Sequence, residues 1–190
     1  MGHLAGLDAE FSCRSFPCGT LLAPKTAYLT GSRKNMSLKD LLNPDAILPS
    51  LKVTSKKAAL QEISEKAALV SGIPAREIFD ALLQRERLGS TGVGNGIAIP
   101  HGKLAKAGRI FGVFARLERP IDYEALDGAP VDLIFLLIAP ETAGADHLKA
   151  LARTARVFRD PVTAAKLRAT RDAAALYTML IQPPSSQNAA

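Results

Sequence analysis

Gln84-Arg85-Glu86-Arg87-Leu88-Gly89-Ser90-Thr91-Gly92-Val93-Gly94-Asn95-Gly96-Ile97-Ala98-Ile99-Pro100-His101-Gly102-Lys103-Leu104 lies between two apolar, periodic regions and holds five glycines, one proline and one histidine. Glycine is used where the backbone needs positive φ or must approach something closely, and it costs conformational entropy on folding. A purely structural turn rarely needs so many. Ile97-Ala98-Ile99 is a short apolar run that reads as a strand. Pro100 then removes a backbone donor and is expected to stop the ladder. His101 follows at the strand end with Gly102 behind it, so its imidazole has little neighbouring bulk and is free to face a partner. By itself, a histidine so placed is more often structural than reactive. The glycine-rich setting brings the two readings level.

Spacing excludes several site types. A nucleotide-triphosphate loop needs Gly-x4-Gly-Lys-Ser/Thr, whereas five residues separate Gly96 from Gly102 and Leu104 follows Lys103. A dinucleotide fingerprint needs Gly-x-Gly-x-x-Gly opening a helix; this chain has Gly92-x-Gly94-x-Gly96, and Pro100 blocks the helix. There is no His-Glu-x-x-His. Of three histidines one, His3, is in the leader, so no metal site and no cofactor are expected.

The 190 residues suffice for one domain with a real core, and high aliphatic content with no Trp suits a cytoplasmic α/β domain. No apolar run reaches about 18 residues, so no membrane insertion is expected. The net charge of +6 comes without a cluster of five Lys or Arg, which argues against a nucleic-acid groove. Cys13 and Cys18 lack neighbouring ligands for a metal, and a disulfide between them fits poorly with the rest of the chain.

Residues 1–35 show no helical or strand periodicity, and Asp8, Glu10, Arg14 and Pro17 interrupt any signal-peptide pattern. They read as an unstructured leader or a mispredicted start ahead of Met36. The domain is expected to span 36–182, with 183–190 a flexible polar tail. Within it, Leu38 to Leu42 reads as a short helix and Ile47 to Val53 as a first strand bent by Pro49. Thr54 or Ser55 caps a helix that carries Leu60, Ile63, Ala67 and Val70 and stops at Gly72. Pro74 fits N1 of a helix bearing Ile78, Phe79, Leu82 and Leu83 and ending near Gly89. Arg85 and Arg87 lie in its last turn, where cations suit the dipole. Ile110 to Leu117 and the almost wholly apolar Val131 to Ala139 read as strands, the second buried on both faces. They flank a loop that turns at Asp127-Gly128. A helix from about Gly144 to Asp146 onward puts Leu148, Leu151, Ala155 and Phe158 on one side. Asp160-Pro161 opens another helix, and Asp172 to Ile181 forms the last. Alternating strands and helices predict an α/β fold, and the short link between the 110–117 and 131–139 strands makes a mixed sheet the safer form.

The segment from Gly89 to Lys103 resembles the active-site segment of the fructose/mannitol-type enzyme IIA proteins of the bacterial phosphotransferase system, most closely their free-standing nitrogen-regulatory branch. The resemblance covers roughly Met36 to Ile181. It implies a mixed β-sheet flanked by helices on both faces. It also implies that the histidine of Pro100-His101-Gly102 accepts a phosphoryl group from a small histidine-containing (HPr-like) phosphocarrier.

A phosphoryl-accepting histidine needs a neutral nitrogen facing the donor, with the other nitrogen held by an acceptor. It also needs donors around the transferring oxygens, because the chemistry is mostly positioning and electrostatic stabilisation. Backbone amides of Gly92, Gly96 and Gly102 are candidates for such donors. The hydroxyls of Ser90 and Thr91 are others, and Asn95 suits a left-handed backbone with a local bond. His147, near a helix N-terminus, falls where the family has a second histidine beside the acceptor; it is expected to orient or contact the phosphate. Its ordinary alternative is a solvated residue in a first helical turn. Arg85 matches a family arginine that approaches the phosphorylated histidine, and guanidinium binds phosphate bidentately. Arg87, about 200° around the helix, is expected to be exposed. Lys103 serves equally as a docking charge for an acidic carrier or as a solvated lysine.

Three functions compete. The first is a phosphoryl carrier whose phosphorylation state regulates partner proteins in the nitrogen phosphotransferase system. The second is a sugar-specific IIA component passing its phosphate to a permease IIB domain. The third is a binding module that keeps the fold without being phosphorylated; the intact His101 loop argues against it.

Overall fold

The computed structural model describes residues 37–182. The expectations for the leader, its two cysteines and the polar tail lie outside the described residues.

In chain order the elements are α1 (Leu38–Leu41), β1 (Leu42–Leu51), α2 (Lys56–Ser71), α3 (Ala75–Glu86), β2 (Gly92–Gly94), β3 (Ile97–Ala98), β4 (His101–Leu104), β5 (Phe111–Ile121), β6 (Val131–Pro140), α4 (Gly144–Arg159), α5 (Pro161–Ala169) and α6 (Ala173–Ile181). The sheet is mixed, as expected. Its order is β1-β5-β6-β3-β2, with β4 also on β6. β5 and β6 are antiparallel, β1 runs parallel to β5, and β3 and β4 run parallel to β6.

β6 is the centre of the molecule. Leu133 to Ala139 are all fully buried. Successive side chains of a strand point to opposite faces, and here both faces are covered. Ile134, Leu136 and Ile138 join Leu60, Ile63, Ile78 and Leu82 of α2 and α3. Leu133, Phe135, Leu137 and Ala139 join Ala150, Phe158, Leu167 and Leu176 of α4, α5 and α6. A strand with water on one face would have to alternate polar residues; this one does not.

Local signals fixed most helix ends. Ser55 accepts from the Ala58 amide at 3.2 Å, Gly72 closes α2, and Asp160 accepts from the Val162 and Thr163 amides to start α5. Asp172 caps α6 through the Ala175 amide at 2.7 Å. Pro74 falls one position earlier than expected, at the N-cap of α3. The first strand begins at Leu42 rather than Ile47 and tolerates Pro44 and Pro49, because β1 is a sheet edge where a missing donor costs little. β5 likewise continues past Leu117 through Pro120.

Three expectations need correction near the glycine-rich stretch and α4. Asn95 (φ 55°) and Gly96 (φ 75°) form a two-residue turn that folds β2 back on β3 as a hairpin. Asn-Gly is the sequence preferred there because both central residues need positive φ; the stretch is thus partly a hairpin and not one continuous loop. Pro100 does not end the ladder. The strand breaks for two residues, Ile99 and Pro100, but the Pro100 carbonyl still accepts from the Leu137 amide at 2.9 Å, and pairing on β6 resumes at His101. On α4 the inward stripe is His147, Ala150, Thr154, Val157 and Phe158, and Leu148 is 67% exposed. The helix is rotated so that the histidine, and not the neighbouring leucine, faces inward.

Candidate functional site

His101 opens β4, opposite Leu137 of β6, and is half-buried. Two bonds fix its ring. Nδ1 lies 2.9 Å from the carbonyl oxygen of Ile99, which can only accept. Arg85 Nε lies 3.0 Å from Nε2, and a guanidinium N–H can only donate. The ring is therefore the neutral Nδ1–H tautomer, with the Nε2 lone pair directed at Arg85. Burial, and then the Arg85 charge, push the His101 imidazole below its ordinary value against the Ile99 carbonyl and Glu86.

Arg85 comes from the last turn of α3. Its Nη1 donates to the Gly89 carbonyl at 2.9 Å, so one side chain spans the histidine and the turn that follows the helix. Arg87 is exposed. His147 returns to the site because only a short turn separates β6 from α4. It is 6% exposed, its ring centroid is 5.7 Å from that of His101, and its Nε2 is buried with no hydrogen-bond partner among the described residues. Burial, then His101 and Lys103, push it below its ordinary value. Two neutral imidazoles and one guanidinium thus face a common space. An unpartnered buried nitrogen is costly, and an incoming phosphoryl oxygen is the kind of group that would satisfy it.

The remaining candidates sit elsewhere. Ser90 Oγ donates to the Tyr123 carbonyl and accepts from the Gly92 amide, each at 3.2 Å. Thr91 Oγ1 donates to Glu86 Oε1. Both hydroxyls are thus committed to the scaffold. Gly92 is required by close approach: a Cβ there would meet Ala125 at 2.8 Å. Asn95 and Gly96 are far from His101. The Gly96 carbonyl accepts from Leu133, four residues before the Leu137 that pairs with His101, which is ~13 Å along a strand. The Asn95 amide instead binds Asp127, and its carbonyl accepts from Arg168. Gly102 is buried against Ala81 of α3 and Ile138. The glycines therefore serve a hairpin and close packing and do not form a nest around the histidine. Charge around His101 comes from side chains.

The sequence reading missed a carboxylate. Glu86, whose side chain is 6% exposed, pairs with Lys56 Nζ at 2.8 Å. It also accepts from Tyr123 Oη at 3.2 Å and from the Thr91 amide at 3.3 Å. The Lys56 ammonium lies 4.8 Å over the fully buried Tyr123 ring. Burial pulls the Lys56 ammonium down, but Glu86 and Glu124 outweigh it and hold it above its ordinary value. Burial and the Glu86 charge push the Tyr123 phenol well up, so it stays protonated and donates. A signal was available: Ile78, Leu82 and Glu86 recur at i, i+4 and i+8 on one helical stripe. Among the described residues, no three His, Cys, Asp or Glu side chains come together as a metal set.

Comparison with known proteins gives the same class as this fold and site. Residues 40–182 match the family described as phosphoenolpyruvate-dependent sugar phosphotransferase system, EIIA 2. A nitrogen regulatory protein of Bradyrhizobium diazoefficiens is 63% identical over 151 residues, covering 80% of this chain and 99% of its own. That of Escherichia coli strain K12 is 40% identical over 153 residues, covering 80% and 94%. The crystal structure of nitrogen regulatory protein IIA-Ntr from Neisseria meningitidis superposes with TM-score 0.71 at 35% identity, over 74% of this chain and 97% of that one. The chain belongs to the EIIA 2 family of the phosphotransferase system, in its nitrogen-regulatory branch.

Proposed function

We propose that the protein is a cytoplasmic phosphoryl carrier of the nitrogen phosphotransferase system. It accepts a phosphoryl group on His101 from an HPr-like phosphohistidine carrier, and its phosphorylation state regulates partner proteins. The observation that carries this reading is the His101 ring itself, with Nδ1–H on the Ile99 carbonyl and the Nε2 lone pair on Arg85. In the transfer, a bond forms between Nε2 and phosphorus as the carrier's N–P bond breaks, and that electron pair returns to the carrier's imidazole. His101 keeps its Nδ1 proton throughout. Arg85 exchanges Nε2 for phosphoryl oxygens, and His147 offers its unpartnered nitrogen. In support of a cytoplasmic site of action, no helix among the described residues is long and apolar enough to cross a membrane. The reading is tested by incubation with the phosphorylated carrier and intact-mass measurement, followed by mapping of the label.

The alternative is a sugar-specific IIA component. One solved relative, at 18% identity, is a complex of enzyme IIA mannitol with phosphorylated enzyme IIB mannitol from Escherichia coli. Onward transfer from labelled protein to a IIB domain, together with a sugar-uptake defect in a deletion strain, would favour that role. No transfer and normal uptake would favour the regulatory one.

Acid should slow the acceptor step. Both site histidines titrate below their ordinary range, so Nε2 is free at neutral pH. The rate of labelling should be flat above about pH 6.5 and fall as pH drops through the lowered value. The same sign applies to stability. The unfolded chain binds protons first, so stability decreases as pH falls below about 6.5. A labelling rate that rises on acidification would contradict the neutral tautomer.

The domain is proposed to comprise residues 36–182, with 1–35 a leader and 183–190 a tail. A chain beginning at Met36 is expected to fold and to be labelled at the full-length rate. A large drop in thermal midpoint on truncation would show that the leader packs on the domain.

A further inference from the structure

We propose that Glu86 is a positioning residue for the phosphoryl transfer, holding Arg85 aimed at His101 by locking the turn that the arginine grips. The inference rests on the His101 reading above. Glu86 follows Arg85 in the last turn of α3, and it closes the 87–91 turn twice. Its carbonyl accepts from the Gly89 amide at 3.1 Å. Its carboxylate accepts from the Thr91 amide and hydroxyl. Between those two anchors lies the Gly89 carbonyl, 2.9 Å from Arg85 Nη1. Gly89 (φ 138°) has nothing packed where a Cβ would stand, and Leu88 is 84% exposed. No apolar packing therefore holds residues 88 and 89. Polar bonds hold the turn: the Glu86 carboxylate, which Lys56 and Tyr123 fix from behind, together with Ser90 Oγ on the Tyr123 carbonyl and the Ile99 amide on the Thr91 carbonyl.

The consequence concerns a geometry that transfer depends on. Arginine has several rotatable bonds and loses rotamer entropy when fixed. With Nη1 held by Gly89, Nε is presented to Nε2 in the resting state, and the guanidinium needs only a small movement to reach phosphoryl oxygens. Released from Gly89, it would have to be ordered during the transfer, and the rate would fall without any change in carrier docking.

The test uses the full chain with Glu86→Gln, which keeps shape and removes the charge, and Thr91→Val, which removes the hydroxyl half of the strap and leaves its amide half and the carboxylate. Three quantities are measured: the labelling rate against carrier concentration, the lifetime of the label after donor removal, and the His101 titration by NMR. Glu86→Gln should transfer roughly tenfold more slowly at saturating carrier, with an apparent KM changed less than about twofold, and its label should be shorter-lived. Thr91→Val should show the same pattern in weaker form. The titration separates aiming from a direct field. Arg85 lowers the His101 value and Glu86 raises it, so the two effects oppose in Glu86→Gln and the titration is read on Thr91→Val, which keeps the carboxylate. There loss of aim moves the titration up. Wild-type kinetics, a defect confined to KM, or a His101 titration in Thr91→Val that does not move up would overturn the proposal. If Glu86→Gln fails to fold, the kinetics and lifetime of Thr91→Val decide. If the wild type takes no label on His101, the acceptor reading fails, and the direction of the titration alone decides whether Glu86 aims Arg85.

Discussion

His101→Ala is expected to take up no phosphoryl group from the carrier, at any time or carrier concentration, while keeping its fold. Removing the ring deletes the nitrogen that offers its lone pair to Arg85. The fold should survive because His101 is half-buried at the start of a four-residue strand. Its side chain makes two hydrogen bonds, with the Ile99 carbonyl and Arg85 Nε, and the β4 ladder on β6 is made by backbone. His147 is the other imidazole in reach, but it is 6% exposed and its nitrogen is enclosed, which suits contact with a phosphate better than attack on one held by a second protein. Intact mass and peptide mapping check the outcome. Full labelling of the variant with the phosphate on His147 would reverse the assignment.

The second large effect is expected at Arg85. A phosphoryl group adds roughly −1.5 to −2 charges at neutral pH. Within the site that charge meets the Arg85 guanidinium, the His147 imidazole and the exposed Lys103. A hydrogen bond to a charged group is worth about 1.5–3 kcal/mol, which corresponds to about one to two orders of magnitude in rate. Arg85→Ala should therefore remain phosphorylatable but transfer about 10- to 100-fold more slowly, or lose its label correspondingly faster. His147→Ala should shift in the same direction. Arg87→Ala serves as the control, since Arg87 is exposed beside a half-buried Arg85. Time courses of labelling and of decay after donor removal give both quantities. An impaired Arg87→Ala beside a normal Arg85→Ala would show that the wrong arginine has been placed at the phosphate.

Arg85 and Glu86 show where sequence reasoning reached and where it stopped. The helical period of α3 puts residues 85 and 86 near the stripe of Ile78 and Leu82, and Arg87 away from it. Nothing local says that Tyr123, 37 residues later, will put a phenol against Glu86, or that Lys56 will reach it from the start of α2. The same limit applied to the glycines. Asn95-Gly96 carried an explicit hairpin signal that the idea of a phosphate-cradling loop obscured. Their distance from His101 then follows from the register of β3 and β4 on β6, which no short-range pattern contains.

The sequence by itself determined the α/β class and the mixed sheet, through the two-faced apolar run of β6 and the short β5–β6 link. It determined most helix ends through Ser55, Gly72, Asp160 and Asp172, because a cap acts across two or three residues of its own backbone. It also singled out His101, by the motif around it. Only the tertiary structure decided the state of that histidine: its tautomer, the guanidinium on Nε2, and the buried nitrogen of His147 beside it. Only the fold, too, tied the Ser90 and Thr91 hydroxyls to scaffold groups, set Asn95 and Gly96 in a hairpin away from His101, and put Glu86 against Thr91 and Tyr123. Caps and periodicities are settled by neighbours along the chain. Burial, hydrogen-bond partners and electrostatic shifts are settled by groups that distant segments bring within about 3 Å, and those meet only when the sheet has formed.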